Sequence, residues 1–282
     1  MSTFQTADGL ALYFDESGSP DGTPVICLPG LTRDGQDFRY LRPHLKDYRV
    51  ICLDFRGRGR SQYADDIMTY SVLQEAQDVL ALMDHLGLER AAIIGTSRGG
   101  LVAMTLAAVA LDRLSAVILN DVGPEIAPEG MARIFDYLGR RPAAKTHAKA
   151  AASIELALGQ DFPGLPRQRW LEDAQTFYDE TDDGLALRYD PKLRDALLAQ
   201  IAALADMPEP PSLWPGFEAL GSLPCGTIRG AFSDVLSGET FAEMKARLPQ
   251  MHMVELPDRG HVPYLDEAAA LALIHTVLED IE

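Results

Sequence analysis

The sequence predicts an α/β protein with a mostly parallel sheet that has helices on both faces. Short β-branched runs alternate with longer segments of helical periodicity along most of the chain of 282 residues. Polar residues follow the ends of several predicted strands, where ligand sites gather in open α/β sheets. The alternation stops between Asp121 and Leu223. We therefore expect one large domain, or a domain with an insertion.

The predicted strands begin with a hairpin. The segment FQTADGLALYF contains Asp8-Gly9, a dipeptide typical of tight turns, and predicts antiparallel edge strands. The segment 71–87 repeats apolar residues at helical spacing and ends at Gly87, as a helix often does. Further predicted strands are PVICLPG (24–30), RVICLDF (49–55), AAIIGTS (91–97), SAVILND (115–121), CGTIRGA (225–231) and HMVELPD (252–258).

Residues 124–213 interrupt this pattern. They contain no convincing strand, and their helical stretches are separated by prolines. We predict that residues 124–213 form a helical cap. The core then consists of residues 1–123 and 214–282.

Composition excludes some partners. With 25 basic and 42 acidic residues the formal net charge is −17, which argues against nucleic acid or an anionic membrane as a partner. Three cysteines, Cys27, Cys52 and Cys225, lie in strand-like apolar runs, which favours reduced core thiols. The first residues do not resemble a signal peptide, and no apolar run is long enough to span a bilayer. We therefore expect a cytoplasmic protein that binds a small molecule.

The candidate nucleophile is Ser97. Gly95-Thr96-Ser97-Arg98-Gly99 fits the pattern G-x-S-x-G, directly after a predicted strand and before an apolar helix. Such a turn holds the serine in a strained, exposed conformation, and the two glycines let strand and helix approach closely. The alternative is a glycine-rich turn that contains a serine by chance. The context favours the nucleophile.

A serine nucleophile needs a base and an orienting carboxylate. In the chain order serine, acid, histidine, Asp234 and His261 each follow a predicted strand. We predict that Asp234 is the acid and His261 the base. Asp121 also ends a strand and is the alternative acid. Asp54 ends a strand but precedes Ser97, and we expect it to order the turn FRGRGRSQ.

The tetrahedral intermediate of acyl transfer needs an oxyanion hole. One donor is expected to be the backbone N–H of Arg98, the residue after the nucleophile. The second is expected from Leu31, in the loop after the strand PVICLPG. Gly30 would let this loop pass close to a substrate. The alternative is that Pro29-Gly30 is only a turn.

Together the segments LPGLTRDGQDF, DFRGRGRS, GTSRGG, the Ser-Asp pair near 234 and GHVPYLDE resemble the α/β-hydrolase superfamily across nearly the whole chain. The resemblance implies an eight-stranded, mostly parallel sheet, a helical cap and no cofactor. It also implies Ser97 as nucleophile, Asp234 as acid and His261 as base. No histidine or cysteine pair has the spacing of metal ligands, so a metal site is not predicted.

Three positions depart from the family pattern. Pro29 replaces a common histidine that often braces its loop. Arg98 has two interpretations: its guanidinium binds a substrate carboxylate, or it turns away and pairs with acidic neighbours, which we favour. Val262 stands where C–C bond hydrolases of this superfamily commonly have tryptophan.

The predicted function is hydrolysis of a small or medium carboxylic ester or a lactone through an acyl-enzyme. One alternative is hydrolysis of a carbon–carbon bond next to a ketone, which uses the same triad. The other is a ligand receptor that keeps the fold without catalysis. The sequence leaves the oligomeric state open.

Overall fold

A computed structural model describes residues 2–281 and contains a central eight-stranded sheet. The strands of the described residues are β1 (Ser2–Gln5), β2 (Ala11–Gly18), β3 (Pro24–Leu28), β4 (Arg49–Leu53), β5 (Ala91–Thr96), β6 (Leu114–Asn120), β7 (Tyr178–Thr181), β8 (Gly184–Leu187), β9 (Cys225–Gly230) and β10 (His252–Leu256). All of them except β7 and β8 belong to the central sheet. The order in the sheet is β1-β2-β4-β3-β5-β6-β9-β10. Strand β2 pairs antiparallel with β1 and β4, and the other pairs are parallel. The predicted fold class and the N-terminal hairpin are confirmed.

Helices cover both faces of this sheet. They are α1 (Val72–His85), α2 (Arg98–Val109), α3 (Pro128–Tyr137), α4 (His147–Leu158), α5 (Arg167–Phe177), α6 (Leu193–Ala205), α7 (Trp214–Ala219), α8 (Gly238–Arg247) and α9 (Ala268–Glu279). Successive residues of β5 point to opposite faces, as in any strand. Ile93 packs in the apolar cluster that contains α1 and α2, whereas Ile94 packs in the cluster that contains α9. Both faces of β5 are therefore buried.

Buried cysteines are part of this core. Cys27, Cys52 and Cys225 are buried in β3, β4 and β9 and carry free thiols. Burial raises the pKa of Cys225 to about 11. Their placement agrees with the prediction of core thiols. No helix within residues 2–281 is both long and apolar enough to cross a membrane.

The segment between β6 and β9 contains α3 to α6 and a hairpin of β7 and β8. The expectation that residues 124–213 contain no strand is therefore wrong. The two strands have four residues each, and β8 begins at Gly184, whose φ is +117°. Strands this short give no clear alternation of apolar and polar residues. The division into core and cap stays a prediction.

Polar contacts join this segment to the sheet and its loops. Asp34 accepts hydrogen bonds from Arg188, the shorter at 2.9 Å, and Tyr70 donates to Asp190 at 2.7 Å. A third contact is the ion pair between Arg39 and Asp173 of α5. These contacts hold the segment over the carboxyl ends of the central strands.

Candidate active site

Ser97 occupies a strained turn between β5 and α2. Its φ and ψ are 50° and −112°, a conformation that residues other than glycine rarely adopt. A Cβ added to Gly95 would lie 2.5 Å from the carbonyl oxygen of Gly99. A Cβ added to Gly99 would overlap the carbonyl oxygen of Leu28. The predicted strand–turn–helix and the reason for its two glycines are confirmed.

His261 lies beside Ser97. It follows β10 in a loop, and its Nε2 lies 3.0 Å from Ser97 Oγ. The side chain is only 17% exposed, so the imidazole is held in a largely enclosed position. The predicted neighbour relationship of these two residues is confirmed.

The carboxylate that holds His261 belongs to Asp121. Asp121 Oδ2 lies 2.6 Å from His261 Nδ1, and the Asp121 side chain is fully buried. Asp121 directly follows β6 and has φ 56°. Its Oδ1 accepts a hydrogen bond of 2.8 Å from the backbone N–H of Gly230, and its own N–H donates to Ile228. Strand β9 thereby fixes the Asp121 carboxylate.

The prediction that Asp234 pairs with His261 is wrong. Asp234 lies in the loop after β9 and forms an ion pair with Arg133 of α3, with Oδ2 2.8 Å from Nε. Both aspartates follow a parallel strand, but only Asp121 turns its carboxylate directly towards the imidazole. Asp234 instead lines the cavity described below.

Leu31 and Arg98, the predicted oxyanion donors, lie on either side of Ser97: Leu31 is in the loop after β3, and Arg98 directly follows Ser97. A Cβ added to Gly30 would be 3.9 Å from Ser97 Cβ, so the Leu31 loop passes close to Ser97. Arg98 is the first residue of α2. Within residues 2–281 neither of the two backbone N–H groups has a hydrogen-bond acceptor. The geometry is compatible with the predicted role of both amides.

The side chain of Arg98 turns away from the cavity. Its Nε donates to Glu75 Oε2 at 2.6 Å, and one terminal nitrogen donates to the carbonyl oxygen of Tyr70 at 3.0 Å. Only 7% of the side chain is exposed. The favoured interpretation, pairing with an acidic neighbour, is confirmed.

Glu75 of α1 connects the two predicted oxyanion residues. Its second oxygen lies 2.8 Å from Arg58, and Arg58 Nε donates to the carbonyl oxygen of Leu31 at 2.9 Å. Burial raises the pKa of Glu75, but the guanidinium groups of Arg98 and Arg58 outweigh it and hold the pKa below its ordinary value. The Glu75 carboxylate is therefore charged, and it links the Leu31 loop to the start of α2.

Asp54 has the structural role expected from the sequence. Its two oxygens accept hydrogen bonds from the backbone N–H groups of Gly35, at 2.7 Å, and Arg60, at 2.9 Å. Burial raises the pKa of Asp54 to about 6. Asp54 orders the turn after β4 and takes no part in the contacts of His261.

A cavity of about 700 Å³ opens above Ser97 and His261. The segment between β6 and β9 supplies much of its wall, which is mainly apolar and aromatic. The aromatic lining residues from this segment are Tyr137, Phe162, Trp170, Phe177, Tyr178 and Tyr189. An enclosed apolar cavity with a few polar groups is typical of small-molecule sites.

Several charged residues that line the cavity were not predicted from the sequence, and two of them are Arg33 and Asp37. Arg33 and Asp37 lie in the loop after β3 and line the cavity. Among residues 2–281 neither side chain forms an ion pair or a hydrogen bond. The Arg33 guanidinium carbon lies 3.2 Å from the centroid of the Phe177 ring. Burial raises the pKa of Asp37 to about 7.

The loop that carries them was part of the segment LPGLTRDGQDF, on which the family resemblance partly rests. Charged residues just after a parallel strand are a signal for a ligand site. Arg33 and Asp37 do follow a predicted strand, but so do many charged residues that are simply exposed to solvent. The sequence therefore gave no reason to select these two.

Comparison with known proteins identifies the class of this protein. A model of the alpha/beta hydrolase family matches residues 25–272, so the chain belongs to that family. A 3-hydroxybutyrate-oligomer hydrolase from Cupriavidus necator is 37% identical over 272 residues, which are 93% of this chain and 90% of that protein. Hydrolases are thus among its relatives.

Solved structures agree with the fold. The crystal structure of an alpha/beta hydrolase from Novosphingobium aromaticivorans is similar with a TM-score of 0.89 and 40% identity, over 99% of this chain and 98% of that one. An esterase from Thermogutta terrifontis has a TM-score of 0.72 at 24% identity, over 100% and 98% of the two chains. The second similarity shows the fold alone.

Proposed function

We propose that this protein is a serine hydrolase that cleaves carboxylic esters through an acyl-enzyme. The observation that carries the proposal is the continuous contact from Ser97 Oγ to His261 Nε2, at 3.0 Å, and from His261 Nδ1 to Asp121 Oδ2, at 2.6 Å. This chain of contacts lies at the wall of the cavity of about 700 Å³. A nucleophile, a base and an orienting carboxylate in that order are the requirements of covalent acyl transfer.

In the first half-reaction Ser97 Oγ attacks the carbonyl carbon of the ester while His261 Nε2 takes the hydroxyl proton. Asp121 accepts the hydrogen bond of Nδ1–H and stabilises the imidazolium that forms. The ester carbonyl oxygen becomes an oxyanion, which the N–H groups of Leu31 and Arg98 bind. The carbon–oxygen bond to the leaving group then breaks, and His261 gives its proton to the departing alcohol.

In the second half-reaction water replaces the alcohol. His261 Nε2 removes a proton from the water, whose oxygen attacks the acyl carbon bonded to Ser97. The same two amides bind the second oxyanion. The bond to Ser97 breaks, Ser97 regains its proton from His261, and the carboxylic acid leaves.

The proposed substrates are esters of short hydroxy acids. The relative from Cupriavidus necator, 37% identical across most of both chains, is a 3-hydroxybutyrate-oligomer hydrolase. Ester bonds join the units of such an oligomer, so its cleavage requires the acyl transfer described above. A cavity of about 700 Å³ with an aromatic wall is large enough for a short oligomer.

The test is labelling by a serine-reactive fluorophosphonate, together with turnover of p-nitrophenyl butyrate. We expect the probe to label the wild type and to fail on Ser97→Ala. Ser153→Ala is the matched control, because Ser153 lines the same cavity but its hydroxyl donates to Lys149 O of its own helix. Equal labelling of Ser97→Ala would refute the assignment. A folded wild type without labelling or turnover would favour a ligand receptor.

A further inference from the structure

We propose that Arg33 forms a carboxylate-binding subsite, which selects esters that carry a free carboxylate near the scissile bond. The inference rests on the proposed ester hydrolysis at Ser97. It names a substrate class, anionic hydroxy-acid esters, and a residue that recognises it.

Burial and pairing together distinguish Arg33 from the other arginines that line the cavity. Arg140 also has no ion pair within residues 2–281, but it is exposed to solvent. Arg39 is ion-paired with Asp173, and Arg133 with Asp161 and Asp234. Arg33 is partly buried in the cavity, and no ion pair or hydrogen bond within residues 2–281 satisfies its guanidinium. A cation with free donors inside a ligand cavity favours an anionic ligand group.

The position of Arg33 is close to the reaction centre. A Cβ added to Gly30 would lie 3.5 Å from Arg33 Cγ and 3.9 Å from Ser97 Cβ. The two side chains therefore start on either side of one glycine, in the loop that is expected to bind the oxyanion. In a dimer of 3-hydroxybutyrate only a few bonds separate the scissile carbonyl from the terminal carboxylate. The Arg33 side chain is long enough to bind that carboxylate while Ser97 attacks.

The packing of Arg33 leaves its donors available. The guanidinium carbon lies 3.2 Å from the centroid of the Phe177 ring, so the aromatic face covers one face of the guanidinium. The N–H groups point outward in the guanidinium plane and can bind a carboxylate with two parallel hydrogen bonds. Stacking on Phe177 restricts the side chain and reduces the entropy lost on binding.

The experiment compares the dimer of 3-hydroxybutyrate with its methyl ester, which is uncharged. Because the methyl ester is itself a second cleavable bond, chromatography counts only the products of cleavage between the two hydroxybutyrate units. We expect Arg33→Met to lower kcat/KM for the free acid about tenfold or more beyond its effect on the methyl ester. Arg33→Lys, which keeps the charge but not the planar fork, should recover part of the difference. Arg141→Met is the matched control, because Arg141 is exposed and lies outside the cavity lining.

Binding is measured separately from turnover. In the Ser97→Ala background, calorimetry with the uncleaved free-acid dimer should give a Kd at least tenfold higher when Arg33→Met is added. Equal losses for the acid and the methyl ester, or no change in this Kd, would overturn the subsite. A wild type that cleaves neither ester but binds the acid through Arg33 would refute the proposed hydrolysis and leave the subsite supported.

Discussion

Asp121 and His261 are in direct contact, with 2.6 Å between Oδ2 and Nδ1. The contact is set by β6, because Asp121 is the residue that follows this strand. The aspartate after β9, Asp234, is instead paired with Arg133. The proposed triad therefore takes its nucleophile, acid and base from the ends of β5, β6 and β10.

The first prediction assigns the acid. Asp121→Asn should lower kcat for p-nitrophenyl butyrate by about 10³- to 10⁴-fold, because an amide stabilises neither the required tautomer nor the imidazolium. Asp234→Asn should lower it by less than about tenfold, since only the ion pair with Arg133 is lost. Thermal unfolding of both variants checks that they are folded. A larger loss in Asp234→Asn would return the role to Asp234.

The second prediction concerns the Glu75 network. Glu75→Gln leaves the buried guanidinium groups of Arg58 and Arg98 without their carboxylate, and should lower the free energy of unfolding by about 3–5 kcal/mol. Urea denaturation measures this. The control is Glu243→Gln, which removes an exposed pair with Arg247 and should leave the urea midpoint unchanged within experimental error.

The same variant should also change catalysis. Arg58 holds the carbonyl oxygen of Leu31, and Arg98 begins α2, so the loss of Glu75 loosens both proposed oxyanion donors. We expect kcat to fall in the fraction that remains folded, with a smaller change in KM. An unchanged kcat would show that Glu75 contributes to the stability of the fold and not to catalysis.

The third prediction concerns the turn at Ser97. Gly99→Ala would place a Cβ on the carbonyl oxygen of Leu28, which forces α2 away from β3. Overpacking of this kind costs about 1–3 kcal/mol, and the shift also displaces Ser97. Gly238→Ala is the control, because nothing lies within 4 Å of the added Cβ. Equal unfolding temperatures and equal kcat in the two variants would contradict the prediction.

The fourth prediction is a pH dependence of substrate choice. Burial raises the pKa of Asp37 to about 7, with Arg33 and Arg39 opposing the rise and Asp34 and Asp173 adding to it. Below pH 7 the Asp37 carboxyl is mostly neutral. Above pH 7 it is mostly a carboxylate, which lies near Arg33 and repels the carboxylate of the substrate. The relative kcat/KM of the free-acid dimer over its methyl ester should therefore fall about threefold to tenfold from pH 6 to pH 8.

This ratio isolates the effect of Asp37 from any effect of pH on the catalytic step itself, because both substrates need the same base. The substrate carboxylate is ionised throughout the range. In Asp37→Asn the ratio should be independent of pH between 6 and 8. A ratio that falls equally in the variant would locate the titrating group elsewhere.

Much of the fold was predictable because its signals are local. The buried strands are short apolar runs, and the turn at Ser97 combines a strand, two close-packed glycines and a helix within a few residues. His261 was predictable because it follows the last strand of the sheet. The orientation of Arg98 was also predictable, since an acidic protein offers many partners to a buried arginine.

The acid was less predictable because two aspartates satisfy the same local rule. The positive φ of Asp121, 56°, decides where its carboxylate points, and no neighbouring residue signals that conformation. The partner of Asp234, Arg133, lies about a hundred positions earlier in the chain. The cavity roles of Arg33 and Asp37 likewise depend on contacts with distant segments, such as the ring of Phe177.

Gly230, at the end of β9, borders both the acid and the base loop. Its N–H donates to Asp121 Oδ1 at 2.8 Å, and a Cβ on it would lie 2.5 Å from the carbonyl oxygens of Arg259 and Gly260, just before His261. The absence of a side chain at this position thus lets β9 contact both Asp121 and the loop that carries His261. The backbone of β9 therefore positions the residues of the proposed triad, and side chains that follow this strand line the cavity.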